Sequence, residues 1–257
     1  MEPTESQNGL IEHRASHTPE AVALRLDGGP EQGYLKDFIY GAIDGAVTTF
    51  AVVSGVAGAG LSSSIVIVLG VANLLADGFS MAVSNYLGTK AELERQEKTR
   101  REEQAHIKIY PEGEREEVRQ IFARKGFEGE ELERVVDVIT SDDRRWVDTM
   151  LQEEHGLALE HPDPFRAAVA TFIAFFLVGG IPLLTFLWNM LFNHTISNPF
   201  LVSSILTGVA FFIVGALKSR VVEQRWYSGG IETFFVGGAA ALLAYLVGVL
   251  LKGTIGV

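Results

Sequence analysis

The chain has 257 residues, 47% of them hydrophobic, no cysteine and a formal charge of −11. Absence of cysteine excludes disulfides, thiolate zinc sites and iron–sulfur clusters, and leaves the redox compartment open. The acidic balance argues against a nucleic-acid partner and for cations, and a positive mean hydropathy suits one membrane domain with a small soluble insert.

Residues 1–35 are polar, with scattered Gly and Pro and no apolar h-region, which does not read as a cleaved signal peptide. His13 and His17 stand four apart beside Glu12, a spacing that could hold a metal on a helix. A solvated, partly disordered tail is the plainer reading, and these residues are left out of the candidate site.

Five segments, approximately 37–58, 65–87, 165–190, 200–218 and 231–251, are long and apolar enough to cross a bilayer. The expected fold is an all-α integral membrane protein of five transmembrane helices. A cytosolic helical metal-binding domain is inserted between the second and third. The boundaries are a tail over 1–35, two spans over 36–87, an acidic helical insert over 88–164, and three spans over 165–257.

Asp44 is the one charge in the run from Phe38 to Gly55 of the first span, with Thr48 a turn above it. Asn73, Asp77 and Met81 recur every four residues in the second span, which puts them on one helix face. A carboxylate in hydrocarbon costs roughly 2.5–3.5 kcal/mol on insertion scales, so such groups face a partner, a cavity or an ion path. These five residues form the candidate transport path. Ser80 and Ser84, like Thr48, read first as hydroxyls bonding their own backbone. Gly41 and Gly45, continued by Gly55 and Gly58, make a small-residue surface that fits a dimer seam or intramolecular packing equally. Gly179, Gly180 and Pro182 should bend the third span.

The loops after the first and third spans carry no charge apart from a titratable His194. Lys36, the basic residues flanking the insert, Lys218, Arg220 and Arg225 fall on the opposite side. The positive-inside rule therefore puts the N-terminus and the insert in the cytosol and the C-terminus outside, with Lys252 as a weak counter-signal.

Between Gly88 and Phe165 there are 21 Asp and Glu against 13 Lys and Arg, so most of the excess charge sits in the insert. Its first helix should continue the second span to about Ile109, braced by Glu94–Lys98 and Glu97–Arg101 pairs. Pro111 suits the first turn of a second helix with Val118, Ile121 and Phe122 inward, stopped by Gly126. A third follows from Gly129, with Leu132, Val135, Val136 and Ile139 inward. Ser141 is the expected N-cap of a fourth, with Trp146, Val147, Met150 and Leu151 inward and Gly156 as its stop.

Glu102 and Glu103 precede His106 by about a turn, Glu114 precedes Glu117, and Met150 precedes Glu153 and Glu154. Carboxylates with one imidazole and one thioether suit Fe²⁺, Mn²⁺, Co²⁺ or Zn²⁺ better than Ca²⁺ or Mg²⁺. A solvated acidic face is the competing reading of the same spacings. No nucleophile elbow, P-loop, H-E-x-x-H or dinucleotide glycine motif is present, which argues against an enzyme. No prosthetic group is expected, and the divalent ion is substrate.

The stretch from Asp44 to Gly55, DGAVTTFAVVSG, followed by ANLLADGFSM from Ala72 to Met81, resembles the vacuolar iron transporter family. That resemblance, which covers nearly the whole chain, implies a homodimer in a cell or vacuolar membrane that moves Fe²⁺ out of the cytosol in exchange for protons. It also implies Asp44 and Met81 as ion ligands in the path. Glu102 or Glu103, His106, Glu114, Glu117, Met150, and Glu153 or Glu154 are then metal-domain positions. His106 stands where the resemblance implies another glutamate. Asn73 stands where some relatives have a carboxylate, and Asp77 either substitutes for it or packs helices. Mn²⁺ transport, and a membrane-anchored metal sensor or buffer without transport, are the alternatives.

Overall fold

The computed structural model describes residues 13–27, 33–160, 162–192, 195–222 and 224–255. Glu12 and His194 lie outside them. Within residues 1–33, which form a unit by themselves, a short helix α1 runs Pro19–Asp27, so this part of the polar segment is helical rather than irregular. His17 Nδ1 lies 2.8 Å from the His13 carbonyl oxygen, and both residues are exposed.

From Tyr34 onward every element among the described residues is helical. The helices are α2 (Leu35–Ala59), α3 (Ser63–Ile109), α4 (Pro111–Arg124), α5 (Gly129–Thr140), α6 (Asp143–Glu153), α7 (Pro164–Gly179), α8 (Leu184–Leu191), α9 (Pro199–Val221) and α10 (Trp226–Ile255). Among the described residues, five stretches are long and apolar enough to span a membrane: α2, the first part of α3, α7 with α8, α9 and α10. The third is broken as its glycines and proline demand. Helix α7 ends at Gly179, a 3₁₀ turn covers Ile181–Leu183, and α8 resumes the span.

Helix α2 is the inner element. Half of its apolar window is buried inside the protein, against 17% for α10, and it packs on α7, α10, α9 and α3. Phe50, Val53 and Val56 from α2 meet Leu74 of α3, Phe175 of α7, Leu183, Phe186 of α8 and Phe211 of α9 in the main core. Close approach is set by glycine. A Cβ on Gly41 would lie 3.1 Å from the Thr171 Cα, and one on Gly45 would lie 2.9 Å from the Phe175 Cα. The small-residue surface at Gly41 and Gly45 therefore packs inside one chain, against the α7 backbone.

Helix α3 is a single rod of 47 residues, about 70 Å at 1.5 Å per residue. Its apolar first part belongs to the spans and its charged second part carries α4, α5 and α6. These pack through Val118, Val136, Ile139, Trp146, Val147, Met150 and Leu151, with Ile107 supplied by α3 itself. Asp142, not Ser141, caps α6: its Oδ1 accepts from the Arg145 backbone N–H at 2.8 Å, while the Ser141 hydroxyl donates back to the Val138 carbonyl. A carboxylate accepts more strongly than a hydroxyl, and one residue of chain decides which of the two reaches the turn. The ion pairs along α3 also differ from expectation. Among the described residues its i,i+4 pairs include Lys90–Glu94 and Lys98–Glu102, not Glu94–Lys98 and Glu97–Arg101. All four members of the observed pairs are about half exposed or more, so either pairing is worth little and solvent competes with it.

Candidate ion path and metal cluster

The antiparallel seam between α2 and α3 carries a ladder of polar groups. At one end Asn85 Nδ2 donates to Asp37 Oδ1 and to the Thr171 hydroxyl, both at 2.8 Å. At the other end Asn73 Nδ2 lies 3.4 Å from the hydroxyls of Thr48 and Thr49. Between them stand Asp44 and Met81, which line one open cavity of ≈ 590 Å³ with Tyr40, Ile43, Val47, Lys218 and Val236. The sequence numbers of facing residues sum to a nearly constant value, as antiparallel helices in one register require. Asp37 to Thr48 covers about 16 Å along α2, more than half of a bilayer's hydrocarbon core.

Each rung has its own chemistry. Asp44 is half-buried, and Asp77 is close enough for the two carboxylates to repel. Met81 packs against the edge of the main core, which fixes its thioether at the cavity wall. Thr48 donates to the Asp44 carbonyl at 2.9 Å, the backbone bond expected of it, leaving its oxygen to accept from Asn73. Ser80 and Ser84 do not follow that expectation. Both are exposed and make no hydrogen bond among the described residues. Lys218 also lines the cavity, but its ammonium donates to Glu232 Oε2 at 2.9 Å, so its charge is directed to α10.

About 33 Å beyond Met81 along the same helix lies Glu103, 3% exposed, with an ionisable cluster around it. Glu103, His106 and Glu114 bring one ligand atom each to within 4.8 Å of one another, and so do Glu103, Glu154 and His155. Glu103 Oε1 is 3.0 Å from His155 Nε2 and 3.8 Å from His106 Nδ1, and His106 Nδ1 is 3.8 Å from Glu114 Oε1. Glu103 Oε2 and Glu114 Oε2 are buried without a hydrogen-bond partner among the described residues. Buried carboxylate oxygens left in that condition are costly unless something positive meets them.

The pairs of adjacent glutamates separate by face. Glu102 points to solvent and pairs with Lys98, whereas Glu103 faces the cluster. Glu153 pairs with Lys125, whereas Glu154 sits 3.7 Å from His155. Glu117 is exposed, yet its charge reaches Glu114 and Glu154. Met150 is fully buried in the apolar cluster, one turn before Glu154. Burial first, then the charges of Glu117, Glu103 and Glu154, push the Glu114 carboxyl up to about 7 against the partial relief of His106. Burial and Glu117 likewise push Glu154 up, with His155 opposing.

Three residues of this constellation escape a reading by spacing. Asp37 and Asn85 lie at the ends of spans, where polar residues are ordinary. His155 lies just past a helix end, outside any i,i+3 pattern. Only the Glu-Glu-His run 153–155 could have flagged it.

Residues 35–249 match the model of the VIT family. Among curated proteins, vacuolar iron transporter 1 of Arabidopsis thaliana is 35% identical over 90% of this chain and 93% of its own length. The vacuolar iron transporter of Plasmodium berghei is 32% identical, over 86% and 84% of the two chains. Vacuolar iron transporter 1 of Eucalyptus grandis is 31% identical, over 94% and 91%. With the match covering all five apolar helices and the helices between them, this multi-pass membrane protein belongs to the VIT family, a family of transporters rather than enzymes.

Proposed function

We propose that the protein moves Fe²⁺ out of the cytosol by proton antiport. In this reading the N-terminus and the Glu103 cluster face the cytosol. Glu103, His106, Glu114, Glu117 and Glu154 capture hydrated divalent ions at the mouth, with the Met150 thioether one turn from Glu154, and raise their local concentration. The ion then enters the α2–α3 seam at Asp37 and Asn85 and passes to Asp44 and Met81. There the carboxylate offsets part of the dehydration cost and sulfur favours softer ions. Asn73 and Thr48 offer neutral oxygens beyond, and Asp77 supplies the second carboxylate. Protonation of Asp44 from the far side releases the ion, which couples the two fluxes.

The observation that carries the reading is the cavity that Asp44 and Met81 line together, in register with polar rungs above and below. A homodimer is part of the proposal. Asp77, Ser80 and Ser84 are exposed on α3 in a part of the helix that belongs to hydrocarbon, and a second copy would cover them. The chain has no native cysteine, so a single Ser84→Cys variant tests this directly: a disulfide-linked pair is expected, and exclusive monomer contradicts the dimer.

Uptake into proteoliposomes with an acid interior, with Fe²⁺ kept reduced, tests transport. The expected result is uptake that needs the proton gradient, is lost in Asp44→Ala and is only weakened in Glu114→Ala/Glu117→Ala. Metal binding without uptake under any gradient would make the protein a buffer or sensor instead.

A further inference from the structure

Resting on the reading of the Glu103 cluster as the ion-capture site, we propose that His155 is a second imidazole ligand beside His106. The pair then tunes the cluster toward ions that accept nitrogen, Fe²⁺ and Co²⁺, over the oxygen-preferring Mn²⁺ and Mg²⁺. His155 converges on Glu103 across 52 residues of chain, and its Nε2 comes closer to Glu103 Oε1 than any other imidazole nitrogen in the cluster. Both imidazoles approach the same carboxylate oxygen, so each of the two three-residue groups sharing Glu103 contains one nitrogen.

The placement of His155 is built rather than incidental. Helix α6 ends at Glu153, the His155 backbone N–H donates to the Met150 carbonyl at 3.2 Å, and Gly156 takes a left-handed φ of +62° that turns the chain back. The returning segment is then clamped to α3. Gln96, 7% exposed, donates through Nε2 to the carbonyls of Ala158 and Leu159 at 3.0 and 2.8 Å. Gln96 and Glu103 are seven residues apart on α3, two turns along one face, so the clamp sets His155 over Glu103. Gln96 is a positioning residue in this arrangement.

A plain histidine–glutamate ion pair does not account for the surroundings. It satisfies one oxygen of Glu103 and leaves Oε2 of Glu103 and Oε2 of Glu114 buried and unpartnered. Divalent cations held in the two groups that share Glu103, with one imidazole in each, answer both. Affinity for nitrogen donors rises from Mn²⁺ through Fe²⁺ to Co²⁺ more steeply than for an all-oxygen set, so two imidazoles translate into discrimination.

The test uses the full chain in detergent micelles, with Co²⁺ as an air-stable stand-in for Fe²⁺ and with Mn²⁺, each titrated by equilibrium dialysis. His155→Asn keeps a hydrogen-bond donor toward Glu103, so it rescues a merely structural role. The expected result is Co²⁺ affinity lowered by at least about 10-fold, with Mn²⁺ affinity changed by less than roughly threefold. Gln96→Ala should move the ratio in the same direction by a smaller factor. Equal changes for both ions, or none, overturn the assignment. A measurement on the parent protein needs no variant to fold: Co²⁺-loaded protein should show two exchangeable, hyperfine-shifted imidazole N–H resonances. One or none overturns the proposal. Failure of proteoliposome uptake with the Co²⁺ to Mn²⁺ ratio intact would instead sink transport and leave this selectivity standing.

Discussion

Asn85 on α3 holds Asp37 on α2 and Thr171 on α7 through one amide, with both hydrogen bonds at 2.8 Å. Three spans are thereby joined at one end of the seam that also contains Asp44 and Met81. Asn85→Ala leaves these partners without their donor, at a cost of about 1 kcal/mol or slightly more. A lower melting temperature in detergent, with slower uptake, is expected. Asn85→Asp should be worse than alanine because it sets a second carboxylate against Asp37. An alanine variant with unchanged melting and uptake would remove Asn85 from the path.

Glu114 should titrate near neutrality. Glu114 has a carboxyl pushed up to about 7, against 4.5 as its ordinary value. Between these values the folded protein retains a proton that the unfolded chain has released, so metal-free stability falls as pH rises through that window. Metal-free protein should melt higher at pH 5 than at pH 8, and Glu114→Gln should shrink the difference. Metal affinity has the opposite dependence and should weaken as pH falls through about 7, because proton and metal compete for one carboxylate. Dialysis at three pH values checks it, and a flat profile would contradict it.

Adjacent glutamates should behave differently. Glu153→Ala removes an exposed pair with Lys125, worth at most about 1 kcal/mol, and should leave metal affinity unchanged. Glu154→Ala removes a group that faces His155 and Glu103 and should lower affinity by about 10-fold or more. Glu102→Ala and Glu103→Ala should divide the same way. Equal losses within either pair would mean that the helix faces are misassigned.

Met81→Leu conserves volume and apolar packing while removing sulfur. Fold and melting should be retained, and the preference for Fe²⁺ over Mn²⁺ in competitive uptake should fall. Retained preference would place the discrimination elsewhere, in the Glu103 cluster.

Gly45→Val puts a branched side chain where even a Cβ would lie 2.9 Å from the Phe175 Cα. Helix α7 would have to move, costing about 1–3 kcal/mol. Poor recovery of monodisperse protein and a reduced melting temperature are expected. A well-behaved variant would mean that α2 and α7 are less tightly apposed.

The five apolar helices, the break in the third and the rod from span into charged helix were all legible, since each is a local matter. Twenty apolar residues, a Gly-Gly-x-Pro run, and an uninterrupted helical pattern act through the backbone nearby. The candidate ligands were legible only to within a residue. Glu102 and Glu103 are equivalent by composition, and the 100° between successive side chains decides which one meets α4 and α6.

By itself, then, the sequence determined what lies along each helix: Asp44 and Met81 in apolar runs, glutamates beyond them, and no cysteine anywhere. Tertiary structure decided what meets across helices. Asn85 reaches Asp37 over 48 residues and His155 reaches Glu103 over 52, distances at which no periodicity in the chain carries information. Such contacts depend on how α3 packs against α2 and on where Gln96 anchors the chain after α6. Both are set by the shape of buried surfaces, and a linear pattern does not record shape.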